Sequence, residues 1–165
     1  MKAIINQKIE KLLEMAKDSR VCMFITHEKN TENLSGRPMG ISKIDADGTL
    51  WFFTKASSYK VEEIGDSQKV SIAIANESSQ NYLMIHGNAT LVNDKIKMKD
   101  LWNNFMKAWF PLGLEDPDIT LIKVVPSEVN YWDSSSNKMV VLFNLIKAIA
   151  TGKVYDEGEH GKINL

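Results

Sequence analysis

Ile5, Ile9, Leu12, Leu13 and Ala16 recur at helical spacing, so residues 2–18 are predicted as an amphipathic helix with one apolar stripe. The pattern then changes period. "RVCMFITH", Arg20 to His27, is rich in strand formers and is followed by the polar loop "EKNTENLSG". "RPMGISKI" leads into "DADG", a turn signal centred on Asp47-Gly48, and strand character resumes over Thr49–Thr54. This predicts a hairpin from about Arg37 to Thr54. Ser58 is an N-cap candidate for a short helix in which Val61 and Ile64 share a face and Gly65 is the stop. Lys69–Ala75 and Tyr82–Val92 are two further strands, the second crossing Gly87 at a bulge or close-packing point.

Met98, Leu101, Trp102, Phe105, Met106 and Trp109 predict a helix from about Lys95, ended by Pro111, Gly113 and Pro117. Ile119–Val125 and Val129–Trp132 are expected as two separate strands. Leu142, Leu145, Ile146 and Ile149 predict a last helix stopped at Gly152, with a loose tail over residues 153–165. Hairpins outnumber strand–helix–strand units. The expectation is one domain over residues 1–152, mostly β with flanking helices (α+β), its antiparallel sheet or barrel decorated by helices.

Composition narrows the chemistry. With 165 residues, 44% hydrophobic and 25% charged, the chain has the make-up of an ordinary globular domain. A net charge of -1 argues against a nucleic-acid footprint. The N-terminal segment is charged throughout, which fits neither a signal peptide nor a membrane span, and a cytoplasmic location is expected. One cysteine, Cys22, excludes a disulfide within the chain and sits in an apolar run, as a structural thiol would. His27, His86 and His160 lack ligand spacing, so no metal site is expected. No nucleophile motif, phosphate loop or dinucleotide glycine pattern occurs, and no catalytic residue is assigned.

One stretch stands out. In "GTLWFFTKASSYK" a core-like strand runs directly into Thr54, Lys55, Ser57, Ser58 and Lys60. The first N–H groups of a helix are unpaired and carry a partial positive charge, and a first-turn lysine strengthens such a place for an anion. An ordinary N-cap beside a solvated lysine would give the same local sequence. Arg37, one of only two arginines, would reach this place if the hairpin register holds, and its planar fork suits phosphate. Trp51, Phe52, Phe53, Trp102, Trp109, Phe110 and Trp132 offer ring area that suits a core or the walls of a flat cofactor.

The ordered set "RPM", "WFFT" followed by "SSYK", "HGNA", "WFPLGLEDPD" and "YWD" resembles the general stress protein 26 group of the pyridoxamine 5′-phosphate oxidase-like, FMN-binding split-barrel superfamily. The resemblance runs from about Lys8 to Gly152. It implies an antiparallel split β-barrel, a homodimer, and an FMN site at each subunit interface. It assigns Arg37, Pro38, Met39, Phe53 and Thr54 to the flavin and Ser58, Tyr59 and Lys60 to its phosphate. Tyr82 falls where the oxidases have a partner-chain glutamine at the flavin, and Trp109 and Trp132 would approach across the dimer. The oxidases' C-terminal substrate-holding arginine has no counterpart, since nothing beyond Arg37 is an arginine. That argues against pyridoxamine 5′-phosphate oxidation itself. The implied function is a flavin-dependent oxidoreductase of unknown substrate related to stress response. The alternatives are a non-enzymatic flavin-binding or sensing module and a protein holding FAD or haem in the same pocket.

Overall fold

The computed structural model describes residues 2–133 and 159–164. Helix α1, Lys2–Ala16, lays Leu12, Met15 and Ala16 into the main core. Strands follow as β1 (Val21–His27), β2 (Leu34–Gly40), β3 (Lys43–Ile44) and β4 (Leu50–Lys55). Helix α2 (Tyr59–Asp66) precedes β5 (Lys69–Asn76) and β6 (Asn81–Val92). Helix α3 (Lys95–Leu101) leads through two 3₁₀ turns to β7 (Ile119–Asp133), and β8 (Glu159–Asn164) comes last. The strands form one antiparallel sheet in the order β2-β1-β5-β6-β7-β4-β3, with β8 added to β7. The sheet curls into a split barrel, so the mostly β architecture with flanking helices is as expected.

Alternation along the strands builds two apolar clusters. Cys22 and Phe24 of β1, Val70, Ile72 and Ile74 of β5, and Leu83 and Ile85 of β6 point into the barrel with Leu50 and Phe52 of β4. Phe24 and Phe52 meet edge to face at 5.2 Å. Burial pushes the Cys22 thiol up to about 12, in keeping with a structural role. The opposite face of β4 carries Trp51 and Phe53 into a second cluster with Met98, Leu101, Phe110, Ile119 and Leu121. The three consecutive aromatics therefore divide between two cores.

Several sequence expectations change. The hairpin from Arg37 to Thr54 does not form as one ladder. β2 pairs with β1, placing Arg37 opposite Phe24, and the polar loop closes this hairpin through Glu28 N–H to Asn33 O at 3.0 Å. Of the expected first arm of the hairpin, only the two-residue β3 pairs with β4. Pro38 supplies a reason: it has no N–H for a ladder on both sides, and β2 is an edge strand. The expected helix from Lys95 to Trp109 breaks at Trp102, whose backbone is extended, because the Asn103 side chain caps a separate 3₁₀ turn over Asn104–Ala108.

The two expected strands over 119–132 are one. Pro126 lies opposite the β6 bulge at His86/Gly87, where the register shifts without ending the strand. Gly87 is required there, since a Cβ would stand 2.5 Å from the Val125 carbonyl oxygen. The tail expected to be loose contributes β8, whose backbone takes up the open edge of β7 from Glu128 to Asp133. The helix expected over Leu142–Ile149 lies outside the described residues.

Candidate functional site

The split in the barrel falls between β2 and β4. Among the described residues β2 ends the sheet, and β4 has no ladder partner beyond Trp51 on its β3 side. The two strands approach each other there without pairing. Arg37, Pro38 and Met39 therefore lie on one open edge, and Phe53 and Thr54 on the other. Open edges carry backbone donors and acceptors that can serve a planar heteroaromatic ligand.

At one end of the split four elements converge. Thr54, next to last in β4, has its side chain on the main-core side, opposite in direction to Phe53. The chain then turns tightly into α2. Asp118 holds this turn: it accepts from Ser57 N–H at 2.9 Å and Ser57 hydroxyl at 2.7 Å, and its carbonyl accepts from Ala56 N–H. These bonds hold the Asp118 carboxyl below its usual range. Ser58 is the N-cap residue of α2, as expected, but its hydroxyl makes no capping bond; it lies 3.3 Å from the Thr54 hydroxyl. Lys60, in the first turn, donates to that same Thr54 oxygen at 3.0 Å.

Arg37 reaches the cluster by a different route from the one the hairpin implied. Its side chain leaves β2 on the same face as Phe24 and meets α2. Both Nη1 and Nη2 donate to one Glu63 oxygen, Oε2, at 2.9 Å, and Nη2 also donates to the Ser35 carbonyl at 3.3 Å. The Thr26 hydroxyl donates to that Glu63 oxygen at 2.5 Å. Lys60 lies within electrostatic reach of both Arg37 and Glu63. Burial, with a contribution from Arg37, holds its ammonium below the usual lysine range, while Glu63 pulls the other way. The result is a half-buried group of two cations, one carboxylate and three hydroxyls, those of Thr26, Thr54 and Ser58, at a helix start. Such a donor set fits a phosphate monoester.

The other expected site residues are not in this cluster. Met39 is buried in the main core and Pro38 is exposed on the β2 edge. The Phe53 ring is turned into the second cluster, 5.7 Å from Trp102, so only its backbone faces the split. Tyr59 is exposed. Tyr82 and Trp132 are cross-strand partners on the outer face of the sheet, both about two-fifths exposed, and Trp109 is exposed beyond α3. Glu63, Thr26 and Ser35 are the members that sequence reading did not pick out. Glu63 had one available signal, its position one helical turn after Lys60.

The half-barrel with its open split places the chain among the split-barrel folds. The chain belongs to the pyridoxamine 5′-phosphate oxidase-like family, which matches residues 7–156. Its fold is that of solved general stress protein 26 relatives. One, a putative general stress protein 26 from Jannaschia, is 21% identical with a TM-score of 0.79, covering 96% of this chain and 99% of that one. A general stress FMN/FAD binding protein from Xanthomonas citri is 25% identical with a TM-score of 0.67, covering 79% and 92%. Protein bli-3 of Neurospora crassa is 25% identical over 158 residues, 90% of this chain and 76% of that protein. No helix among the described residues is long and apolar enough to cross a membrane. No group of three or more metal-ligating side chains occurs among them either.

Proposed function

We propose that this protein binds FMN, with the ring against the open edges of β2 and β4 and the phosphate at the start of α2, and serves as a flavin-dependent oxidoreductase. The observation that carries the reading is the convergence of Lys60, Arg37, Thr54 and Ser58 at one end of the barrel split. The family membership and the FMN/FAD-binding relative from Xanthomonas citri support it. When bound, the flavin supplies the hydride and electron chemistry.

The chain's own part is binding and orientation. Lys60 offers a compact cation on a short leash to Thr54, and the N–H groups of the first turn of α2 add donors along the helix axis. Backbone groups of Arg37–Met39 and Phe53–Thr54 offer hydrogen bonds to the polar edge of a flavin ring. The Asp118–Ser57 bonds keep the β4–α2 turn in place while this happens.

The reading includes a homodimer. The outer face of the sheet carries Met23, Ala73 and Met84 in one cross-strand row and Ala75, Tyr82 and Trp132 in the next. Met23, Tyr82 and Trp132 are each more than two-fifths exposed, an apolar surface suited to a second copy. Trp109 and Trp132 would then come to the flavin from the partner. Titration with FMN followed by fluorescence quenching tests the binding. Anaerobic mixing of the loaded protein with reduced nicotinamide cofactors tests the enzymatic half. Bleaching of the flavin absorbance supports an oxidoreductase. Tight binding without bleaching by any donor supports a flavin-binding module.

A further inference from the structure

We infer that Glu63 is the built-in counter-anion of the Lys60–Arg37 site and sets how tightly that site holds a phosphate monoester. The inference rests on the phosphate placement proposed above, but its charge argument holds for any phosphate monoester.

The geometry comes first. One carboxylate oxygen of Glu63 receives three donors, the Thr26 hydroxyl and both terminal nitrogens of Arg37. The carboxylate side chain is only 12% exposed and that of Arg37 22%. With the Nη2 bond to Ser35, three of the five guanidinium N–H groups are engaged inside the protein. The inner edge of the guanidinium, between Nη1 and Nη2, faces Glu63 rather than the split. Arg37 therefore acts on an incoming anion chiefly through its charge, and Glu63 offsets that charge at 2.9 Å.

The charges then decide the effect. Lys60 and Arg37 supply two positive charges and Glu63 removes one, leaving a formal +1. A phosphate monoester brings about −1.5 to −2 near neutral pH. The site is thus under-compensated by its own carboxylate. Glu63 therefore weakens the hold of the site on a phosphate relative to that of an uncompensated pair of cations.

Glu63→Gln separates charge from position. A glutamine side-chain oxygen can accept the same bonds from Thr26 and Arg37, so the fork stays where it is while the negative charge goes. The experiment measures Kd for FMN, for inorganic phosphate and for riboflavin, which lacks the phosphate, on the wild-type chain and on Glu63→Gln. The expected result is FMN and phosphate tighter by roughly tenfold, with riboflavin unchanged within about twofold. FMN and phosphate affinities that are unchanged or weaker overturn the inference. A gain for phosphate with no flavin bound by either protein supports it and removes the flavin reading instead. A gain equal for FMN and riboflavin also overturns it, because charge would not be the cause.

A second pair of variants guards against a folding defect. In Arg37→Gln the carboxylate faces Lys60 without its partner, so phosphate binding should be weakest there. Adding Glu63→Gln to Arg37→Gln should recover roughly tenfold. No recovery would overturn the inference.

Discussion

Arg37 and Glu63 are joined by two hydrogen bonds of 2.9 Å to a single carboxylate oxygen, and this pair ties the edge strand β2 to helix α2. The contact places a cation from one end of the sheet beside the helix that follows β4, near the other end. It brings the two sides of the barrel split together without any backbone pairing between them. The same contact explains why Lys60 and Arg37 are not equivalent cations. Arg37 is partnered by a carboxylate, whereas Lys60 is bonded to the neutral hydroxyl of Thr54.

Lys60→Ala is therefore expected to weaken FMN by roughly 1.5–3 kcal/mol, the scale of one charged hydrogen bond, while leaving riboflavin nearly unaffected. Calorimetric titration of both ligands checks this. An equal loss for FMN and riboflavin would place the phosphate elsewhere.

The lowered pKa of Lys60 gives a pH dependence with a definite sign. Burial and Arg37 favour the neutral amine in the ligand-free protein, below the ordinary value of 10.5. A bound phosphate favours the ammonium. FMN affinity should thus fall as pH rises through the ligand-free pKa of Lys60, in a range that opens below pH 10.5. For folding, a lysine with a depressed folded-state pKa adds stability above its unfolded value and loses it as pH falls. Lys60→Met should consequently be no less heat-stable than wild type at neutral pH without ligand. FMN titrations from pH 7 upward and thermal melts of this variant test the two halves. An affinity flat to pH 10.5, or a destabilised Lys60→Met, would contradict them.

Most of the fold can be read from the sequence because the period of the apolar residues reports it directly. Phe24, Ile72 and Ile85 alternate with less buried neighbours and lie in one buried row, each a cross-strand partner of the next. What the pattern cannot give is which strand pairs with which. "DADG" does make a turn, with Gly48 at φ +86 and its N–H bonded to the Asp45 carbonyl, but that turn closes only β3 onto β4. The longer β2 pairs backward with β1. The cluster at the candidate site was legible at Lys60, Thr54 and Ser58 because they are local to one turn. Arg37 reaches them through an ion pair across 26 positions, which no local rule predicts. Helix spacing over Met98–Trp109 misled because Asn103 competes for the backbone as a cap.

The apolar outer face yields a prediction about assembly. Trp132→Glu places a charge beside Tyr82, its cross-strand partner, where a second copy is proposed to dock. The wild-type chain should show twice the chain mass by light scattering at micromolar concentration, and the variant one chain mass. Unaltered thermal unfolding at low protein concentration would show that the fold is intact. A wild-type monomer would contradict an interfacial flavin site.

The bulge in β6 is a structural constraint set by the close approach of β7. Gly87→Ala drives a methyl group to 2.5 Å from the Val125 carbonyl and 3.1 Å from the Pro126 backbone, both in the paired strand. Overpacking of this kind costs about 1–3 kcal/mol, and backbone cannot yield as a side chain does, so the upper part of that range is expected. For a chain of 165 residues this corresponds to a fall in Tm of roughly 4–12 °C. Calorimetry checks it, and a change under about 1 °C would mean that β6 and β7 are paired differently.

The most direct test of the central claim is the visible absorbance of the protein after incubation with FMN and gel filtration. The predicted result is a retained flavin spectrum close to one FMN per chain, lost in Lys60→Ala/Arg37→Ala. Passage of all the flavin through the column, with no quenching of FMN fluorescence on direct titration, would contradict it.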